Sequence, residues 1–521
     1  MSKRKASGTR IAPAKRGRTR SNTTPAFGAA SEDDFLTAEP RQIPSASALS
    51  VRPLTWGDAI PMLSSLATRR FVENMPALSS DERLWAYVRL WLKRLPDLLV
   101  PKVFNMLQDS CPNIISHELI MLYFFRGPTI KLSQSLPGMQ KQTFASIATH
   151  HSLRELYLIG LDKYSDTHFA SLVSSLPQLR ILVLRGCTQV SVKTAKAAAS
   201  YSSLTSVNFS YTTVTPLSLR AVLTLRCCLE VLKVAGIPSW TDRAFSKLLN
   251  TFSKTPDIAF KNLHNLKLRQ LALSEASVQP FLARCPNLKR LDISFTLVRR
   301  RPIGPYIIPP LEKISLTSLN MGTLDLLMLV VMLRNLRTLS VGALGTGQGS
   351  SVGLGNSSAM NMTDESLDRL IDVLKELENL EKVSLMGNSK LGLTDRAVLS
   401  KFIRRVGRRC KHLNLSGLQR LTSQNLSGLM SEKDSSDPPR LEELILNHTG
   451  IDDKAAPYIS CCSSLSSLRL AGTKITSVGL FPIIDACPRL EQLDLTSCRG
   501  IKVADRRRFF EVWEHEWKDR S

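Results

Sequence analysis

The chain has 521 residues, 43% of them hydrophobic and 6% aromatic, with 69 Lys and Arg against 44 Asp and Glu, a formal net charge of +25. That composition supplies a large core of Leu, Ile and Val, and the charge favours anionic partners while saying nothing about fold. The longest apolar runs, 119–125 and 326–333, fall far short of the ~20 residues of a membrane-spanning helix. The first twenty residues hold eight Lys or Arg and no apolar stretch of a secretory signal. A soluble intracellular protein with no membrane contact is expected, its ten cysteines present as thiols.

Residues 1–55 are rich in Ser, Ala, Pro and Arg and lack apolar periodicity, so a disordered basic tail is expected. Within it, Lys3, Arg4 and Lys5 are separated by nine residues from Lys15, Arg16 and Arg18. That spacing is the pattern of a bipartite nuclear localisation signal and points to the nucleus. The plainer reading is a basic tail through which nucleic acid is touched.

Residues 56–126 read as helices: WGDAIPMLSSLATRRFVENM, SSDERLWAYVRLWLKR, LPDLLVPKVFNMLQ and SHELIMLYFF. A helical N-terminal cap is expected here.

From residue 127 to 500 one pattern recurs. Leu153, Leu179, Leu204 and Leu229 open L-x-x-L-x-L segments at spacings of 26, 25 and 25 residues. Further openings are assigned to Leu268, Leu288, Leu311, Leu336, Leu380, Cys410, Leu441, Leu465 and Leu490, thirteen copies in all. With a first strand at 129–132, fourteen strands are expected. A period of 20 to 29 residues with L-x-x-L-x-L is the leucine-rich-repeat signature. Each copy predicts a short strand whose alternate side chains point inward, followed by a helix. TDRAFSKLLN, TDESLDRLIDVL and TDRAVLSKFI begin with Thr-Asp, residues suited to N-capping. No single repeat buries its apolar side alone, so the units must stack into an α/β solenoid, a horseshoe with a parallel concave sheet and outer helices.

Two insertions interrupt the array, Gly/Ser-rich 342–362 and acidic 431–439, and 299–310 is too Pro-rich for helix. Cys187 and Cys498 fall three residues after the third Leu of their repeats, where the pattern takes Asn or Cys. They are expected to be buried thiols. No C-x-x-C exists, and no metal site or cofactor is expected. Residues 501–521 read as an amphipathic helix whose Phe509, Phe510, Trp513 and Trp517 cover the open end of the last repeat.

L-x-x-L-x-L, then Cys, then Thr-Asp opening a helix, resembles the cysteine-containing, ribonuclease-inhibitor-like leucine-rich repeats. Such repeats occur in F-box–leucine-rich-repeat ubiquitin-ligase receptors and in the leucine-rich-repeat subunit of nucleotide-excision repair. In the former, an F-box of the form L-P-x-E-[IL]-x-x-x-[IV]-[LF]-x-x-L presents apolar residues to a Skp adaptor. Leu95, Pro96, Leu99, Val103, Phe104 and Leu107 fit those positions. Leu98 replaces the acid, Pro101 interrupts the helix and the later Val…Trp segment is missing. The segment therefore reads either as a degenerate F-box or as part of the cap.

No nucleophile–base pair or paired-carboxylate site is evident, so the chain is not expected to be an enzyme. A solenoid's concave sheet is a surface for another macromolecule. The residues expected to meet a protein client are Arg154, Tyr157, Arg185, Asn208, Lys233, Arg269, Arg337, His412, Asn414 and Arg469. The leading expectation is a nuclear receptor that gathers a client for ubiquitin ligation, with a Skp–cullin adaptor as second partner. The alternative is a chromatin or DNA-repair factor.

Overall fold

The computed structural model describes residues 49–51 and 63–509, apart from 137, 225–227, 254–258, 344–361, 396, 431–436 and 503. The basic clusters of the tail, most of both insertions, and Phe510, Trp513 and Trp517 lie outside the described residues.

After a short segment β1 (Leu49–Val51), the repeats are opened by β2 (Thr129–Ser133), β3 (Glu155–Ile159), β4 (Ile181–Val183), β5 (Ser206–Asn208) and β6 (Val231–Lys233). Next come β7 (Asn265–Lys267), β8 (Arg290–Asp292), β9 (Lys313–Ser315), β10 (Thr338–Ser340) and β11 (Lys382–Ser384). The series ends with β12 (His412–Asn414), β13 (Glu443–Ile445), β14 (Ser467–Arg469) and β15 (Gln492–Asp494). From β2 to β15 each strand pairs in parallel with the next, an open sheet of fourteen strands in chain order. In a typical strand the central Leu points into the core and its neighbours stand half-exposed on the concave side, as with Leu413 between His412 and Asn414. The result is a leucine-rich-repeat solenoid.

One repeat frame needs correcting. The segment LHNLKLRQLAL contains two overlapping L-x-x-L-x-L frames, one starting at Leu263 and one at Leu268. The structure uses the first, with Leu266 at the centre of β7 and Leu268 buried as the third leucine. That choice leaves 25 residues to Leu288, the ordinary repeat length, where the other leaves only 20.

A second correction concerns the tail. Leu49–Val51 form a strand that joins β15 antiparallel, with Leu49 opposite Asp494 and Ser50 opposite Leu493. The outer edge of a terminal strand offers a row of unpaired N–H and C=O groups, and this segment takes it up.

The Thr-Asp pairs divide their labour. Thr363 caps its helix, Oγ1 accepting from Ser366 N at 3.3 Å. Asp395 likewise accepts from Ala397 N at 2.8 Å in its own repeat. Asp364 and Asp242 reach forward instead: Asp364 accepts from Gly392 and Thr394, Asp242 from Ser274 and Ser277. Asp166 and Asp453 do the same toward Thr194 and Thr476. These four carboxylates each tie one helical layer to the next.

Between β8 and β9 the Pro-rich segment forms no helix. The cap holds α1 (Leu63–Ser80), α2 (Glu82–Arg94) and α3 (Val100–Ser110). Their buried Val72, Met75, Leu92, Val103, Phe104 and Leu107 continue, through Phe124 at the end of the cap, into one core with Ile130 and Leu132 of the first repeat. Phe104 stacks on Phe124 with ring centroids 4.8 Å apart. At the far end, Phe509 is fully buried.

Cys187 and Cys498 are buried free thiols, donating to the carbonyls of Leu158 at 3.5 Å and Leu470 at 3.1 Å. Burial pushes the thiols of Cys187, Cys285, Cys410 and Cys487 up to about 12.

Candidate functional site: the concave groove

The strand register places the variable residues in rows running across the sheet. One row reads Arg290, Lys313, Thr338, Lys382 and His412 on β8 to β12. The next reads Asp292, Ser315, Ser340, Ser384 and Asn414 on the same strands. Neighbouring strands lie about 4.8 Å apart, so residues distant in sequence become adjacent side chains. These rows line a cavity of about 540 Å³ on the concave face.

Of the ten residues expected to meet a client, Arg269, Arg337, His412, Asn414 and Arg469 line this cavity. Arg154, Tyr157, Arg185, Asn208 and Lys233 are half-buried or exposed at the N-terminal end of the sheet, outside it. Several are already engaged. Asn208 and Asn414 use Oδ1 to accept from the backbone N–H two residues on, each at 3.0 Å. Tyr157 donates to Glu155 at 3.3 Å, and burial, then the Glu155 charge, pushes its phenol up to about 12. Arg337 is held by Glu381 at 2.7 Å. His412 Nδ1 and Arg469 flank Glu443 at 2.9 and 3.2 Å. Burial raises the Glu443 carboxyl, but the His412 hydrogen bond and the Arg469 charge outweigh it and hold it below the ordinary range.

Inspection of single repeats misses Lys267, Arg290, Lys313 and Lys382, all on the cavity wall. Each sits at an ordinary variable strand position, and only the register shows that they gather. Also missed are Tyr211 and Phe295, which turn the corner after their strands with φ of 59°. Arg185 lies 5.6 Å from the Tyr211 ring centroid and Arg269 lies 4.8 Å from that of Phe295. The Tyr211 ring occupies the space a Cβ on Gly236 would need, 2.2 Å from its nearest atom. Gly236 itself has φ of 63°, so this position requires glycine twice over.

At the cap, Val103, Phe104 and Leu107 are buried and Leu95 and Leu99 half-buried, while Pro96 is exposed. The apolar face that the F-box-like spacing assigned to an adaptor is therefore largely spent on the cap's own core. Among the apolar side chains that the cap exposes are Leu84, Tyr87, Leu90 and Trp91 of α2, and, outside that helix, Leu63, Leu98 and Leu122.

Among the described residues no cluster of three or more His, Cys, Asp or Glu could hold a metal. No described helix is long and apolar enough to cross a membrane.

Fold and groove together define a leucine-rich-repeat protein with an open, charged concave face. Over 64 residues the chain is 38% identical to "Putative F-box/LRR-repeat protein 23" of Arabidopsis thaliana. That match spans 12% of this chain and 14% of the relative, well under two thirds of its length. No known family profile matches. Among solved structures, Rad7 in the yeast Rad7–Elc1 complex aligns at 16% identity and a TM-score of 0.45, covering 80% of this chain and 95% of that one. An internalin, InlF of Listeria monocytogenes, aligns at 14% and 0.37, over 71% and 87%. TLR13 from its complex with ssRNA13 aligns at 15% and 0.41, over 68% and 44%.

Proposed function

We propose that this chain is a substrate receptor of a Skp–cullin–F-box type ubiquitin ligase, acting in the nucleus. The concave groove holds a protein client, the helical cap docks the adaptor, and Lys3, Arg4, Lys5, Lys15, Arg16 and Arg18 direct import. The groove carries this reading. Its 540 Å³ are walled chiefly by polar and charged side chains that the leucine core does not use. An array whose core is built from the repeated leucines leaves those positions for recognition.

The adaptor half is supported by the short match to an F-box/LRR-repeat protein. The cap supports it as well, because Tyr87 and Trp91 are each 68% exposed and Leu98 84%. Tyr87 and Trp91, four residues apart on one helix, share a face, and a large exposed apolar patch is the usual mark of a docking face. The adaptor then meets α2 and its following loop rather than Phe104.

Affinity purification of the tagged full chain, read by mass spectrometry, tests this directly. A Skp–cullin core arriving with one or more clients is the expected result. Repair factors or chromatin without a cullin favour the second reading, a DNA-repair or chromatin factor, which the net charge of +25 supports. Neither set arriving would reject both readings.

A further inference from the structure

The middle of the groove has a composition of its own. Lys313 and Lys382 stand on β9 and β11, on either side of Thr338 on β10. One step along the same three strands, Ser315, Ser340 and Ser384 lie side by side. The register thus makes a small grid, Lys–Thr–Lys above Ser–Ser–Ser, and Arg290 extends its cationic row onto β8. All six grid residues line the cavity. The two lysines are two strands apart, about 10 Å between their backbones, with short hydroxyl side chains between and beneath them. Long ammonium arms over a floor of small donors leave room for one compact anion.

We propose that this grid binds a phosphorylated side chain carried on an extended segment of the client. A phosphate brings up to two negative charges and three acceptor oxygens, enough for both ammonium groups and several hydroxyls at once. A carboxylate has two oxygens and one charge and would leave part of the grid unused.

The wider wall argues against nucleic acid. It carries eight Lys or Arg but also five Asp or Glu, and among its described lining residues none is Phe, Tyr or Trp. Single strands are held by stacking on aromatic side chains along an evenly cationic track. Here the carboxylates of Asp292, Glu381 and Glu443 flank the grid, paired with Lys267, Arg337 and Arg469, and Glu381 and Glu443 also feel the charge of Lys382. A ligand with one strong anionic group and neutral or basic neighbours fits that pattern; a continuous polyanion meets repulsion on both sides.

The inference rests on the receptor reading only in taking the concave face as the client's. The test uses the full chain and an immobilised degenerate nonapeptide library with phosphoserine fixed at its centre. Identical libraries with Ser or Glu at the centre, and an oligothymidylate, serve as comparisons. Retention by the phosphoserine library should exceed that by the Ser library at least tenfold and that by the Glu library several-fold. Lys313→Ala with Lys382→Ala should bring it to the Ser level with an unchanged melting curve. Lys313→Arg with Lys382→Arg should keep most of it, and Lys375→Ala, at the C-cap of the outer helix Asp364–Leu374, should change nothing. Equal retention of the phosphoserine and Ser libraries overturns the proposal, as does binding that survives the double alanine change. Tighter binding of the oligothymidylate than of the phosphoserine library, lost in the same variant, assigns the grid to nucleic acid and also overturns it. Failure here with a Skp–cullin core still co-purifying removes this site alone. Success without any cullin leaves the site standing and removes the ligase reading.

Discussion

Asp364 reaches out of its own repeat to Thr394, accepting both the backbone N–H and the hydroxyl of that residue at 2.8 Å. The same carboxylate accepts from Gly392 N at 2.6 Å and Asp395 N at 2.9 Å. Four donors from the following repeat thus converge on one buried side chain. Asp364→Ala should cost about 3 kcal/mol, because buried N–H groups lose their acceptor. Asp364→Asn, which keeps one oxygen, should cost about half of that. Denaturant midpoints give the stability change, and faster amide exchange confined to 392–399 would show that the seam between these two repeats has opened. An unchanged midpoint in the alanine variant would refute the staple.

The same carboxylates set an acid limit. Burial raises the carboxyls of Asp166 and Asp364, but hydrogen bonds from Thr194 and Ser191, and from Asp395, Gly392 and Thr394, outweigh it and hold both below the ordinary range. A carboxyl lowered on folding adds stability above its unfolded value and loses it as pH falls through the folded one. Stability from these groups should therefore be level from pH 7 to about 5 and fall below about pH 4. The deficit of Asp364→Asn relative to the parent should shrink over the same acid range. A deficit constant down to pH 3 would mean that ionisation of Asp364 contributes nothing.

Twelve of the thirteen repeat openings were legible in the right frame because a 25-residue period of leucines leaves little freedom in where the core lies. What stayed hidden was long-range. LHNLKLRQLAL satisfies two frames, and only the neighbouring repeat selects between them. Asp364 looks like a cap because sequence does not show which repeat its carboxylate faces. The three residues of β1 have no periodicity and owe their structure to the edge of β15, more than 400 positions away. Lys313 and Lys382 are 69 residues apart in the chain and become neighbours of one threonine only through strand register.

Thiol chemistry separates the nine described cysteines into two groups. Cys187, Cys285, Cys410, Cys462, Cys487 and Cys498 are buried, whereas Cys111, Cys228 and Cys461 are partly exposed. A thiol is reactive as thiolate, and burial opposes ionisation. At pH 8 an alkylating reagent followed by peptide mapping should modify Cys228 and Cys461 first and Cys111 slowly, since burial raises its thiol too. The six buried thiols should react only after unfolding. Cys498→Ser should cost only about 1 kcal/mol, because the Leu470 carbonyl at 3.1 Å offers the hydroxyl a partner. Rapid native labelling of Cys187 or Cys498 would contradict the buried assignment.

The last prediction divides the cap into a part that holds the fold and a part that meets the adaptor. Phe104 is 5% exposed and Leu107 fully buried, packed with Phe124 and the first repeat. Each truncation to alanine removes core packing worth about 2 to 5 kcal/mol, so Phe104→Ala with Leu107→Ala should lower the melting temperature sharply. Tyr87 and Trp91 lie on the solvent side of α2, and Tyr87→Ala with Trp91→Ala should leave the melt within a degree or two. If the adaptor docks on α2, that second pair abolishes co-purification of the Skp–cullin core while the solenoid stays folded. Circular dichroism melting and pull-down on the two double variants therefore give opposite pairs of answers. A Phe104/Leu107 variant that stays stable yet loses the adaptor would return the docking face to 95–107. A Tyr87/Trp91 variant that still brings down the adaptor would remove α2 from the interface.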